Sequence, residues 1–422
     1  MSDSTAVTDA TRVFWDPAAY ADQTAWHATV AEFRRSEPVV RVESPHHPPF
    51  WAVTRHADIH WIERHPEQFP NTDRSVLATD RQYEAQARQG AAMRTLIHMD
   101  GDEHRLHRAV TATWFKPSSV RSLEAQVDGL ARQAVDRMAA EPGGRCDFVA
   151  DVALHYPLRV ILSILGLPQA DEPRMLRLTQ ELFGAGDPAL RRPGTETDLA
   201  AVIKDFYRYF TQLAADRRAA PTGDLASVIA DAEIDGRPLS DTAMLSYYVL
   251  IATAGHDTTS ASLAGGLGAL IDHPDQLDRL RREPALIGPA VDEIVRWVSP
   301  VRHFMRYATV PATLGPAELG GAAIEPGDAL LLSYPSANRD DEVFDEPFRF
   351  DVTRANADRH LGFGFGVHHC LGAHLARLEL TAFFTALLPR LEWIERDGPE
   401  EQIRATFVGG PRRMPIRYRL KP

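Results

Sequence analysis

The residue best placed to do chemistry is Cys370, in the run Phe363-Gly364-Phe365-Gly366-Val367-His368-His369-Cys370-Leu371-Gly372. Two glycines flank an aromatic, and a strong helical pattern, AHLARLELTAFFTALL, follows the cysteine. Glycine makes backbone turns closed to other residues and lets a flat ligand come close. A cysteine between such a loop and a helix start faces unpaired N–H groups and the positive end of the helix dipole, which favour an anionic sulfur. Most free cysteines are simply small buried hydrophobes. The pattern around Cys370 is what argues otherwise.

Two further groups stand out. Ala254-Gly255-His256-Asp257-Thr258-Thr259 lies midway along an apolar stretch from Met244 to Ile271. That stretch reads as one helix of roughly 40 Å, long enough to cross a molecule of this size. Glycine, aspartate and threonine at its centre are poor helix formers, and an aspartate there argues against a membrane span. Local preference that fails in mid-core is where function is expected. The plain alternative is an Asp257 paired with a basic neighbour and a Thr258 bonded back to its own helix. Glu293 and Arg296, in VDEIVRW, are three apart and share a helical face. On a surface such a pair contributes under about 1 kcal/mol.

Taken together these motifs resemble the cytochrome P-450 superfamily. The cysteine run matches every fixed position of its haem signature, Phe-Gly-x-Gly-x-His/Arg-x-Cys-x-Gly. The likeness to bacterial members covers almost the whole chain, with motifs in order from residue 98 onward. It implies that Cys370 binds the iron of heme b, the anionic sulfur that haem needs for O–O cleavage. It makes Asp257 and Thr258 an acid–alcohol pair, Thr258 hydrogen-bonding dioxygen and Asp257 relaying protons from solvent, with Gly255 leaving room for the diatomic ligand. The haem propionates need cationic or hydrogen-bonding partners, and the resemblance assigns these to His104, Arg108, Arg306 and His368. Glu293 and Arg296 become a buried pair joined by Arg349 of FDEPFRFD, structural support for the cysteine loop. The substrate pocket falls to Leu250, Thr253, Ala254, Phe304, Phe407 and Val408, with Ser75–Ile97 as a variable loop above it.

In ATAGHDTTS, DEIVRWVSPVRHFMR, LLSYPSANRDDEVFDEPFRFD and RHLGFGFGVHHCLGAHLA the wording is most similar to the α-terpineol hydroxylase branch. The implied activity is hydroxylation of a small hydrophobic substrate, a monoterpenoid or alkyl-aromatic hydrocarbon. Steroid or alkane hydroxylation on the same fold is the alternative. A haem-based sensor is the rival from another class, and no effector module accompanies the motifs. Electrons are expected from a two-iron two-sulfur ferredoxin with its reductase, docking near Arg105, Arg108, Arg359 and Arg377.

The elements that must position these residues are legible in outline. The chain has 422 residues and a net charge of −12, which argues against nucleic acid as a partner. Two distant cysteines, Cys146 and Cys370, offer no disulfide framework, and the opening MSDSTAVTDATRVFWD lacks the layout of a signal peptide. A cytoplasmic monomer is expected, with no membrane contact. Residues 12–36 suggest a short helix with Trp26, Val30 and Phe33 on one face, and Val39–Val42 with Phe50–Val53 a hairpin. Helical patterns dominate from Ala57 to Leu388, with breaks at Glu141–Gly144, Arg192–Thr195 and Ala220–Asp224. Strands are predicted at Ala329–Tyr334, Thr406–Val408 and Pro415–Tyr418. The expected architecture is one domain over residues 1–422, mainly α with small peripheral β-sheets. The resemblance places haem between the long central helix and the cysteine-loop helix.

Overall fold

The computed structural model describes residues 10–72, 74–89, 94–183 and 199–421. The apolar stretch around Asp257 forms one helix, Asp241–Asp272, opened by a Ser240 side chain that accepts from the Ala243 amide. Thirty-two residues span roughly 48 Å. This central helix is apolar on nearly every side and accordingly buried on nearly every side. Small residues let its neighbours approach. A Cβ on Gly255 would lie 2.5 Å from the Ile161 side chain, and one on Gly266 would lie 2.6 Å from that of Ile294. Those contacts belong to the helices Tyr156–Ile164 and Ile287–Val298, and the cysteine helix Ala373–Leu387 packs against the same core.

Beside the helices lies a four-stranded sheet of β1 (Val39–Val42), β2 (Phe50–Val53), β3 (His303–Tyr307) and β4 (Ala329–Ser333), in the order β1-β2-β4-β3. β1 and β2 form the expected antiparallel hairpin, with Val39 opposite Val53. β2 runs parallel to β4, and β4 antiparallel to β3. Side chains alternate along a strand, so β3 presents Phe304 and Arg306 to the same side. Other strands pair in small separate sheets, including Leu391–Arg396 with Pro415–Leu420.

Several expectations shift in detail. The helix expected over residues 12–36 begins only at Gln23, after two 3₁₀ turns at Thr11–Phe14 and Pro17–Ala21, because Asp16 and Asp22 cap separate starts. Thr406–Val408 is not a strand: Val408 alone bridges to Val301, while the Ala405 and Thr406 carbonyls serve Arg302 and His303. Within Ser75–Ile97, residues Asp80–Gln89 form a helix. The break predicted at Arg192–Thr195 lies outside the described residues. No described helix is long and apolar enough to cross a membrane.

Candidate active site

The central helix, the cysteine loop and β3 enclose one cavity, with about 1420 Å³ of atom-free space that continues into solvent. Cys370, Thr258, Leu250, Ala254, Phe304, His104, Arg108, Arg306 and His368 all line it. Helical geometry decides which residues of AGHDTT reach it. At about 100° per residue, Leu250, Ala254, Thr258 and Ser262 share one stripe with Ile251, Gly255 and Thr259 beside it. Thr253 falls outside that stripe. It is buried and donates back to the Val249 carbonyl at 2.7 Å, so it is not a pocket residue. Phe407 and Val408 also stand back from the cavity: Phe407 packs edge-on behind Phe304 at 5.4 Å. Gly255 borders the cavity, but its Cβ direction is filled by Ile161.

The loop before Cys370 is shaped by its glycines. Gly364 and Gly366 have φ of +64° and +69°, and a Cβ on Gly366 would strike the Glu63 carbonyl. The Cys370 amide donates to the Phe363 carbonyl at 2.8 Å, which turns the thiol into the cavity just before the helix cap at Gly372. Burial pushes the thiol pKa up, while the Gly372 amide, Arg108 and Arg377 pull it down. The thiol has accessible surface only because it faces the cavity.

Four basic groups converge at one edge. The rings of His104 and His368 lie 4.3 Å apart, and the charges of Arg108 and Arg306 are both felt at His368. Burial, His368 and Arg108 lower His104 to about 4, which keeps it neutral. Asp100 accepts from His368 at 3.4 Å. Burial works to raise the Asp100 pKa, but His368 and the Asn71 and Thr72 amides outweigh it and bring it to about 2. Arg108 donates to the His369 carbonyl at 2.7 Å. Arg306 meets Glu63 at 3.3 Å, and Tyr334 donates to the same carboxylate oxygen at 2.7 Å. The motif reading missed Glu63 and Tyr334, which no local pattern in the sequence marks.

On the helix face beside the cavity, Thr258 donates to the Ala254 carbonyl at 2.9 Å, so its lone pairs remain for a ligand. Asp257 lies at the margin of the stripe. Its Oδ1 is 3.4 Å from His256 Nδ1, its buried Oδ2 has no partner, and burial raises its pKa against the pull of His256.

Behind the cysteine loop, Glu293 and Arg296 are fully buried and paired through two bonds of 2.6 and 2.8 Å. The third member is Arg354, whose Nε lies 3.1 Å from Glu293, and not Arg349. Arg349 turns outward to Glu346, and only its backbone carbonyl accepts from Arg296 and Arg354. The reversal at Glu346, with φ of +45°, aims Arg349 at solvent and returns the chain five residues later. Arg296 holds the Asn338 carbonyl, and the Asn338 side chain accepts from the Leu361 amide at the base of the loop. That is how the network supports Cys370. Of the basic patch, Arg377 is tied to Asp292 and Arg105 to Asp102.

The site fits a haem. A bare metal would need several ligating side chains, and no cluster of three such groups occurs among the described residues. A lone thiol facing an apolar slot, with a hydroxyl helix beside it and cations at one edge, is instead the donor set for a metal already held in an anionic macrocycle.

Comparison with known proteins gives the same answer. Residues 30–416 match the Cytochrome P450 family. Cytochrome P450-terp of a Pseudomonas species is 42% identical over 95% of both chains. A Steroid C26-monooxygenase of Mycolicibacterium smegmatis is 32% identical over 92% of this chain and 90% of its own. The crystal structure of CYP108D1 from Novosphingobium aromaticivorans superposes with a TM-score of 0.89 at 38% identity, covering 98% of this chain and 99% of that one. Mycobacterium marinum CYP268A2 in complex with pseudoionone gives 0.87 at 34%, covering 96% and 97%. The fold and the site define a haem-thiolate enzyme. The chain belongs to the Cytochrome P450 family and is a monooxygenase.

Proposed function

We propose that this monooxygenase hydroxylates a small hydrophobic substrate, a monoterpenoid or alkyl-aromatic hydrocarbon, as a single catalytic domain. The observation that carries the reading is one cavity lined by the Cys370 thiol, the Thr258 hydroxyl and an apolar wall of Leu250, Ile251, Ala254 and Phe304. Such a wall, with few polar groups, suits a small apolar molecule. The identity shared with Cytochrome P450-terp, and the likeness to a P450 that holds pseudoionone, support that size and chemistry.

Heme b, when bound, supplies dioxygen activation and oxygen insertion into a C–H bond. The chain does the rest. Cys370 would hold the haem iron through its sulfur; burial raises its pKa, and the Gly372 amide, Arg108 and Arg377 pull it back toward the anionic form. Arg108, Arg306, His104 and His368, which line the cavity, would hold the propionates. Thr258 accepts and orders a proton donor through its free lone pairs, and burial raises the Asp257 pKa, which favours its service as a proton donor. Leu250, Ala254 and Phe304 exclude water from the reacting carbon. A two-iron two-sulfur ferredoxin with its reductase supplies the electrons from outside.

The test is an absorbance titration of the purified ferric protein with α-terpineol, p-cymene, a linear alkane and a steroid. A tight spin-state change with the first two alone supports the proposal. A response to the steroid or the alkane alone would move the assignment to those substrates, in line with the steroid and methyl-branched lipid hydroxylases that are 32% and 34% identical.

A further inference from the structure

The last turns of the central helix, the end of Ile287–Val298 and the helix Gln23–Ser36 border a second cavity, with about 1860 Å³ of atom-free space, open solvent included. It shares no lining residue with the first. Two arginines in its wall, Arg302 and Arg339, are almost wholly buried. Elsewhere in the interior Arg296 and Arg354 reach Glu293, and Arg306 reaches Glu63. Arg302 donates instead to the Ala405 carbonyl and, more loosely, to that of Ile403. Arg339 donates to the Arg296 and Trp297 carbonyls at 2.9 and 2.7 Å, and its buried Nε has no acceptor. Neither guanidinium has a carboxylate beside it among the described residues. Glu293 is felt at Arg339, but Arg296 and Arg354 already share it. A carbonyl supplies only a partial charge where a buried cation needs a whole one.

The rest of the wall does not restore the balance. Burial lowers the Arg302 pKa to about 10, which leaves it charged at neutral pH. Tyr20 lies under its guanidinium at 4.2 Å, but burial pushes that hydroxyl up to about 12, so it brings no counter-charge. Trp297 lies under Arg339 at 4.3 Å. His27, on the same wall, feels the positive charge of both arginines. Asp272 and Glu400 also line the cavity, and Arg396 holds both. We propose that this cavity binds an aromatic monocarboxylate, its carboxylate answering the charges of Arg302 and Arg339 and its ring lying against Tyr20, Trp26 and Trp297. A planar guanidinium matches a planar carboxylate. Tyr20 and Trp26 stack at 5.3 Å and extend the aromatic face. Gly409 leaves the room that Arg302 occupies, since a Cβ there would strike its guanidinium. The site stands apart from the Cys370 cavity, so it takes its ligand whether or not the oxidation site is filled.

The experiment is a calorimetric titration of the haem-loaded protein with benzoate, with 4-phenylimidazole on the iron to fill the active site. Benzoate should bind at one site. Benzyl alcohol, which lacks the charge, and inorganic phosphate, which lacks the ring, should each bind about tenfold or more weakly. Equal binding of benzyl alcohol would remove the arginines from recognition, and equal binding of phosphate would remove the aromatic wall; either result, or no benzoate binding, overturns the proposal. Ala28 lines the cavity from an exposed position on the helix Gln23–Ser36. Ala28→Glu supplies a carboxylate from within and should weaken benzoate about tenfold or more, whereas Ala28→Gln should stay within about twofold. Arg302→Gln should weaken it as Ala28→Glu does. Should Arg302→Gln fail to fold, the Ala28 pair still decides, because neither change buries a new group. Benzoate bound equally by Ala28→Glu and the parent places the ligand elsewhere and overturns the site.

Discussion

Nη2 of Arg306 lies 3.3 Å from Oε1 of Glu63, and both side chains are almost wholly buried beside the cavity. A haem propionate at this edge would compete with Glu63 for the same guanidinium. Burial raises the Glu63 pKa from 4.5 to about 7, against the pull of Arg306 and Tyr334. The folded state therefore binds a proton that the unfolded chain releases between those values. The stability this contributes is complete below 4.5 and is lost as pH rises to about 7. Its size is on the order of 3 kcal/mol. Glu63→Gln should flatten the pH dependence of thermal unfolding across that window. An unaltered slope would mean that Glu63 stays ionised.

Arg354 and Arg349 separate a buried partner from a surface one. The Arg354 side chain is 7% exposed against a fully buried Glu293, whereas Arg349 is 57% exposed. Arg354→Ala leaves the Glu293–Arg296 pair short of a donor and should cost about 3 kcal/mol or more. Haem retention should fall with it, because the same network holds the base of the cysteine loop. Arg349→Ala should stay within about 0.5 kcal/mol. Denaturant unfolding and haem content measured on both variants check the contrast.

These two cases mark where sequence reasoning reached and where it stopped. The cysteine loop was legible because its shape is local: Gly364 and Gly366 take positive φ next to the residue they present. The central helix was legible from its apolar run. Glu63 and Tyr334 were not, because 271 positions separate them and only the parallel pairing of β2 with β4 brings their neighbourhoods together. Arg349 was misplaced because motif spacing does not encode the reversal at Glu346. Thr253, Phe407 and Val408 failed for a similar reason: a segment can border a cavity while half its side chains face away.

Gly255 is a packing residue. A Cβ there would lie 2.5 Å from Cδ1 of Ile161, the flexible end of a side chain that also lines the cavity. Gly255→Ala should cost about 1–3 kcal/mol through overpacking. Pairing it with Ile161→Val, which removes the offending carbon, should recover most of that loss. Unfolding free energies of the two single variants and the double variant supply the cycle. Simple addition of the single effects would show that the two positions are not coupled.

Thr258 spends its only hydrogen on the Ala254 carbonyl, so whatever it does toward the cavity it does as an acceptor. Thr258→Ala removes the acceptor and keeps the apolar wall. Substrate should therefore bind with a normal spin-state change while electrons are diverted to hydrogen peroxide, product per electron pair falling several-fold. Thr258→Ser restores an oxygen that can make the same backbone bond, and it should recover most of the coupling. The measurement is a stoichiometry of electrons consumed, product formed and peroxide released in the three proteins. Equal coupling in Thr258→Ala and the parent would leave the Thr258 bond to Ala254 as a helix contact and nothing more.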